Sequence, residues 1–128
     1  MIFVFGSNEA GRHGKGAAYT AMIHHAALPG QGFGFSRNNT SSSFAIPTKD
    51  WRLETLPVDD IAFYVRRFIV FARIYADEQF QITALGTGLA GIPAQVMAEL
   101  FKYAPANCLF DQAWQEFLPK KQFWGTFP

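Results

Sequence analysis

Two glycine-rich stretches carry the residue types that could hold an anion. The first runs Gly6-Ser7-Asn8-Glu9-Ala10-Gly11-Arg12-His13-Gly14-Lys15-Gly16-Ala17, and the second is Gly86-Thr87-Gly88-Leu89-Ala90-Gly91. Glycines let backbone N–H groups approach phosphate oxygens closely, and Lys15 adds a cation. Each stretch follows a short apolar run and precedes a helical pattern, and the start of a helix presents free N–H groups that favour anions. Two familiar phosphate-binding patterns are absent. A P-loop would need Ser or Thr after Gly14-Lys15, where Gly16 stands, and a glycine at the position of Glu9; a dinucleotide fingerprint beginning at Gly14 would need a third glycine where Tyr19 stands.

Single residues around these loops suggest more specific chemistry. Asn8 either contacts a ligand or caps a turn through its own side chain. His13, between glycines, is hard to bury; it reads as a phosphate contact or an acid/base group, or as a solvated loop histidine. Thr48, Lys49 and Asp50 follow a short strand, where site residues are expected, or else form a surface ion pair with a turn. Were the chain hydrolytic, His13, Asp50 or the ligand's own phosphate would activate water, and Asn8, His13 and Asp50 are the catalytic candidates. His24 and His25 are adjacent on a helix, point about 100° apart and cannot chelate one metal together. No metal-ligand spacing is present, no cofactor is expected, and Ser41 to Ser43 lack a nucleophile elbow. Trp51 and Phe33 could stack on a base, or pack in the core.

The elements that must position these residues alternate between strand and helix. Ile2 to Phe5 reads as a strand ending at Gly6, and residues 17–28 as a helix stopped by Pro29-Gly30, with Ala18, Met22, Ile23 and Ala26 on its apolar stripe. Residues 31–43 read as one long polar loop, and Phe44-Ala45-Ile46 as a short strand stopped by Pro47. The longest helix is expected over residues 58–76, burying Val58, Ile61, Ala62, Val65, Phe68, Ile69 and Ala72. A strand over residues 80–85 breaks at Gly86; after the second loop, Ile92-Pro93 starts a helix with Val96, Met97 and Leu100 inward. Residues 107–110 form the last expected strand, and residues 112–118 a final helical turn or two. The tail, residues 119–128, carries Phe123, Trp124 and Phe127 and must pack on its own domain or on another copy. This alternation implies an α/β fold of three α/β/α layers, with a largely parallel or mixed central sheet covered on both faces. Right-handed crossovers would put both glycine loops on one edge of that sheet.

Composition sets the outer bounds. With 128 residues, 49 % of them hydrophobic and 16 % charged, the chain suits one well-buried α/β domain spanning residues 1–128. A net charge of +1 gives no field to recommend nucleic acid or a membrane surface. The single Cys108, in an apolar run, is expected to be a buried structural thiol. No basic segment precedes the strand at Ile2 and no apolar stretch is long enough to span a bilayer, so the cytoplasm is the expected address.

Three motifs together resemble the macro domain, and more closely a family of small macro-like proteins found mainly in phages and prophages. They are Val-Phe-Gly-Ser-Asn-x-Ala-Gly-x-His-Gly-x-Gly-Ala-Ala from Val4 to Ala18, Ala45-Ile46-Pro47-Thr48-Lys49-Asp50, and Gly86-Thr87-Gly88-Leu89-Ala90-Gly91. Macro domains bind ADP-ribose and its derivatives, and some hydrolyse ADP-ribosyl bonds. The resemblance implies that Asn8 orients a distal ribose, that Gly14 to Ala17 wrap that ribose and its phosphate, and that Thr87 to Gly91 hold a diphosphate through backbone N–H groups. Gly6, Ser7, Gly11 and Gly86 complete the expected binding loops, with Thr48 and Lys49 beside them. The chain departs from the macro pattern in having Gly6-Ser7-Asn8 where paired asparagines are usual, and in lacking a counterpart of the aspartate that grips adenine. The function this implies is binding of an ADP-ribose-related nucleotide signal, of use in counter-defence. The alternatives are an ADP-ribosyl hydrolase, or an assembly protein that forms homo-oligomers through its aromatic tail.

Overall fold

Ile2 and Val4 alternate with Phe3 and Phe5, and all four are buried, so the first strand is apolar on both faces and must lie inside a sheet. A computed structural model, which describes residues 1–127, shows that sheet as six-stranded. Its strands are β1 (Ile2–Asn8), β2 (Gly34–Arg37), β3 (Ser42–Lys49), β4 (Phe80–Ile82), β5 (Cys108–Asp111) and β6 (Gln122–Gly125), in the spatial order β2-β3-β1-β4-β5-β6. Among the strand pairs of the described residues, β2–β3 alone is antiparallel. Helices α1 (Gly16–His24), α2 (Val58–Ile74) and α3 (Ala94–Glu99) complete the chain, with one 3-10 turn over Gln112–Trp114.

The two faces of β1 serve two cores. Phe3 and Phe5 join Ala18, Ala21 and Ala45 beneath α1, whose small residues let it sit close. Ile2 and Val4 join the larger cluster under α2 and α3, built on Phe44, Phe68, Phe80, Phe101, Phe110 and Trp114. The result is the expected three-layer α/β arrangement with a mixed sheet. The adjacent parallel strands β1 and β4 lead into helices on opposite faces, α1 and α3. Their outgoing loops therefore diverge and open a crevice above the strand ends.

Several boundaries differ from expectation, each for a local reason. β1 runs past Gly6 to Asn8 because β3 also continues, through Pro47 to Lys49. Pro47 has no N–H to give the ladder, and the register slips beside it, so that Ser7 faces Pro47 while Asn8 faces Lys49. Helix α1 stops at His24, four residues early, as Ala26 turns left-handed at φ 63° and Ala27 N–H donates back to the Ala21 carbonyl. Its buried residues are Ala18 and Ala21, while Ile23 is 53 % exposed. The expected polar loop of residues 31–43 contains β2: Phe33 and Phe35 alternate with glycine and serine and pack on Phe44 and Phe71. The turn after β2 is closed by Asn38 Oδ1, which accepts from the N–H groups of Thr40 and Ser41. On α2 the expected inward residues are buried, except that Val58 is exposed and Ala62 half-buried. β4 is short and ends at Ile82, and α3, only six residues long, buries Met97 but leaves Val96 exposed. The tail packs on its own domain, as the parallel edge strand β6, with Trp124 Nε1 donating to the Ile82 carbonyl at 2.9 Å. Of the expected tail, Pro128 lies outside the described residues.

Candidate functional site

The crevice above the ends of β1, β3, β4 and β5 is a cleft of about 710 Å³, within the range of about 300–1,000 Å³ usual for small-molecule sites. The register slip at Pro47 shapes its floor. It brings Thr48 and Lys49 together beside Ser7 and Asn8, with the Thr48 hydroxyl donating to the Ser7 carbonyl at 3.4 Å and Glu9 N–H donating to the Lys49 carbonyl at 2.9 Å.

Asn8 governs the first loop. Its Oδ1 accepts from Arg12 N–H at 2.9 Å and its Nδ2 donates to the Arg12 carbonyl at 2.8 Å, so one amide closes residues 8–12 into a ring. Asn8 thus closes this turn through its own side chain, and it also lines the cleft. Gly14, Lys15, Gly16 and Ala17 line the cleft where α1 begins. Lys15, the helix cap, is extended and makes no side-chain capping bond, and the first helical N–H returning to it is that of Tyr19, at 3.2 Å. The N–H groups of residues 16–18 thus have no intrahelical partner and lie at the positive end of the helix dipole.

The second loop is held in shape from within. Thr87 Oγ1 donates to the Ala84 carbonyl at 2.6 Å, Ile92 N–H to the Gly86 carbonyl at 2.9 Å and Gly91 N–H to the Gly88 carbonyl at 2.9 Å. Gly86 turns left-handed at φ 81°, a backbone conformation that side-chain-bearing residues rarely adopt, and a Cβ there would stand 2.8 Å from Met97 Sδ. Among the described residues, the N–H groups of residues 87–90 have no hydrogen-bond partner, and Gly86, Thr87, Gly88, Leu89 and Ala90 line the cleft. Thr55 Oγ1 donates to the Ala90 carbonyl at 2.9 Å and ties this loop to the turn after β3.

The charged lining is cationic at its surface. Among the described residues the lining carries Arg12, Lys15 and Lys49 and one acidic group, Asp111, which is 2 % exposed and whose two oxygens accept from Ala113 N–H, Thr126 Oγ1 and Phe127 N–H. Behind the first loop, Tyr64 Oη donates to Glu9 Oε2 at 2.6 Å. That bond, with burial second, pushes the Tyr64 phenol up to about 12.

Six sequence candidates stand elsewhere. His13 is 4 % exposed, its Nε2 donating to the Leu28 carbonyl at 3.0 Å and its ring lying edge-on to Phe5, so it supports the 25–30 turn and is absent from the cleft wall. Asp50 spends Oδ1 on the N–H groups of Arg52 and Glu54, at 2.8 and 3.0 Å, and shapes a turn. Gly11 is buried against Gly30, where no Cβ fits, and Gly91 lies beyond the lining. Phe33 packs in the core on Phe44 and Tyr64, while Trp51 is exposed and stacks with Arg52.

The cleft also includes residues that sequence reading missed: Arg12, Leu53, Thr83, Asp111 and Phe127 among them. Asp111 closes β5 and could have been found by inspecting the carboxyl end of each parallel strand. Leu53, at φ 68°, and Phe127 carry no such signal in sequence. Among the described residues no group of three or more His, Cys, Asp or Glu side chains could hold a metal, and no helix is long and apolar enough to cross a membrane.

No protein-family profile matches this chain, and no curated protein matches its sequence. Solved structures do resemble it. A protein of unknown function from Bacteroides thetaiotaomicron superposes with a TM-score of 0.65 at 14 % identity, covering 98 % of this chain and 85 % of that one. The macrodomain of Mycobacterium tuberculosis DarG gives 0.61 at 17 % identity, covering 99 % and 88 %. Thermosipho africanus DarTG in complex with ADP-ribose gives 0.60 at 14 % identity, covering 99 % of this chain and 38 % of that chain. At these identities the likeness is one of fold: the chain has the α/β architecture of a macrodomain.

Proposed function

We propose that residues 1–128 act as one macro-like domain whose cleft captures an ADP-ribose-related nucleotide. The observation that carries this reading is the meeting of the two glycine loops at a single cleft, with Arg12, Lys15 and Lys49 on its wall. Unpartnered N–H groups at the start of α1 and in residues 87–90 offer hydrogen bonds to a diphosphate, and the three cations offer it charge. Ser7, Asn8 and Thr48 offer polar contacts to a sugar beside it. The macrodomain fold, shared with a neighbour solved with ADP-ribose, supports the same ligand class.

Binding is favoured over hydrolysis by how the candidate catalytic groups are used. His13 and Asp50 are engaged with backbone away from the cleft, and the oxygens of Asp111 already accept three hydrogen bonds. The setting we propose is a phage-type protein in the host cytoplasm that withholds a nucleotide signal in counter-defence. The likeness of the Val4–Ala18, 45–50 and 86–91 motifs to phage macro-like proteins is the support for it.

Isothermal titration with ADP-ribose, ADP, NAD and inorganic phosphate tests the binding itself. Saturable one-to-one binding of ADP-ribose, tighter than ADP and weakened by salt, is the expected result. No heat from any nucleotide at millimolar concentration removes the proposal.

A further inference from the structure

We propose that Asp111 is a positioning residue for the cleft: its carboxylate latches the segment after β6, so that Phe127 stands as a cleft wall. The inference rests on the nucleotide-binding reading above and adds to it a part of the chain that no glycine motif touches.

After Gly125, whose φ is 129°, the chain leaves the sheet at its edge. It then comes back toward β1, three strand spacings or about 14 Å away across β5 and β4. Little holds an excursion of this kind by packing alone, because the tail offers one large apolar side chain, Phe127, whose ring centre lies 6.0 Å from that of Phe3. Asp111 supplies the remainder. Oδ1 accepts from Thr126 Oγ1 at 2.9 Å and Oδ2 from Phe127 N–H at 3.0 Å, while Oδ1 also takes Ala113 N–H at 2.9 Å and caps the 3-10 turn. One buried carboxylate therefore fixes the start of that turn and both residues of the returning tail. A buried carboxylate with three donors is well satisfied, whereas an amide in its place would turn its NH2 toward Thr126 Oγ1 or toward Phe127 N–H and lose at least one bond. Phe127 lines the same cleft as the glycine loops, so a tail that swings away opens the cleft on the side facing α1 and exposes Phe3.

The test combines ligand titration with site-resolved hydrogen exchange on the intact chain. ADP-ribose is titrated into wild type, Asp111→Asn, Phe127→Ala and the double variant, and amide exchange is followed at Phe127 and in β1. Asp111→Asn and Phe127→Ala are each expected to weaken binding by about tenfold. The double variant is expected to be no weaker than the worse single one, because both changes remove the same wall. Phe127→Tyr, which keeps the ring, is expected to restore most of the affinity that Phe127→Ala loses. In Asp111→Asn the Phe127 amide exchanges fast while β1 stays protected. Additive losses in the double variant, or wild-type affinity in Asp111→Asn with the Phe127 amide exposed, overturn the proposal. Should Asp111→Asn fail to fold, Thr126→Val removes one latch bond and is read by the same two measurements. A wild-type protein that binds no nucleotide sinks the functional reading. The latch is then judged by exchange alone, and equal Phe127 protection in wild type and Asp111→Asn overturns it.

Discussion

At the scale of the residue, the cleft depends on side chains that shape backbone as much as on those that would meet a ligand. Asn8 spends both ends of its amide on the Arg12 backbone and so fixes the turn that leads to the start of α1. Lys49 is a simpler case, a cation delivered to the cleft by the slip beside Pro47. Lys49→Ala should weaken ADP-ribose binding by about 10-fold, the loss of one charge-assisted hydrogen bond, and leave the urea midpoint within error; titration and urea denaturation check the two halves. Gly86 has the opposite signature. With φ at 81° and Met97 Sδ 2.8 Å from where a Cβ would stand, Gly86→Ala should cost about 1–3 kcal/mol of folding stability by urea denaturation and loosen the second loop.

At the scale of the element, α1 sits lightly on the sheet and is braced from its C-terminal end. His25, just past α1, stacks on Phe3 with ring centres 4.1 Å apart. Burial, and after it the charge of His24, lowers its pKa from the ordinary 6.5. Because the folded pKa lies below the unfolded one, protonation favours the unfolded chain. The contribution of His25 to stability is complete above pH 6.5 and is lost as pH falls below it. Urea midpoints at pH 7.5, 6.5 and 5.5 should therefore fall less steeply for His25→Gln than for wild type; parallel slopes would refute the assignment. In α2 the expected inward stripe is nearly the observed one, since a helix of 17 residues with a clear apolar face has only one way to lie on a sheet. The six-residue α3 lacks enough turns for such a pattern, which is why Val96, expected inward, stands outside.

At the scale of the whole molecule, a chain of phenylalanine rings joins strands to helices: Phe44 to Phe68, Phe68 to Phe80 and Phe101, and Phe101 to Phe110 and Trp114. Phe68 lies at its centre and is fully buried, so Phe68→Ala should cost about 3–5 kcal/mol in urea denaturation. Cys108 lies in the same core, where burial pushes its thiol up to about 12. A disulfide reagent at pH 8 should label the native protein only as fast as it unfolds, and labelling should become rapid in Phe68→Ala. Quick labelling of wild type would contradict the buried assignment.

The sequence alone determined four of the strands with the helices between them, the α2 face and both glycine loops, because these depend on local period and on backbone freedom that a short window contains. The macro-like motifs pointed to the right architecture even though no family profile matches the chain. The rest was decided by contacts between distant segments. β2 exists because Phe33 and Phe35 find Phe44 and Phe71, and β3 passes through Pro47 because β1 can slip beside it. His13 and Asp50 carry side chains suited to catalysis, yet the backbone around them claims those side chains first. Asp111 and Phe127 entered the cleft only when the tail folded back along β5, since nothing local in either stretch says which wall the other will form.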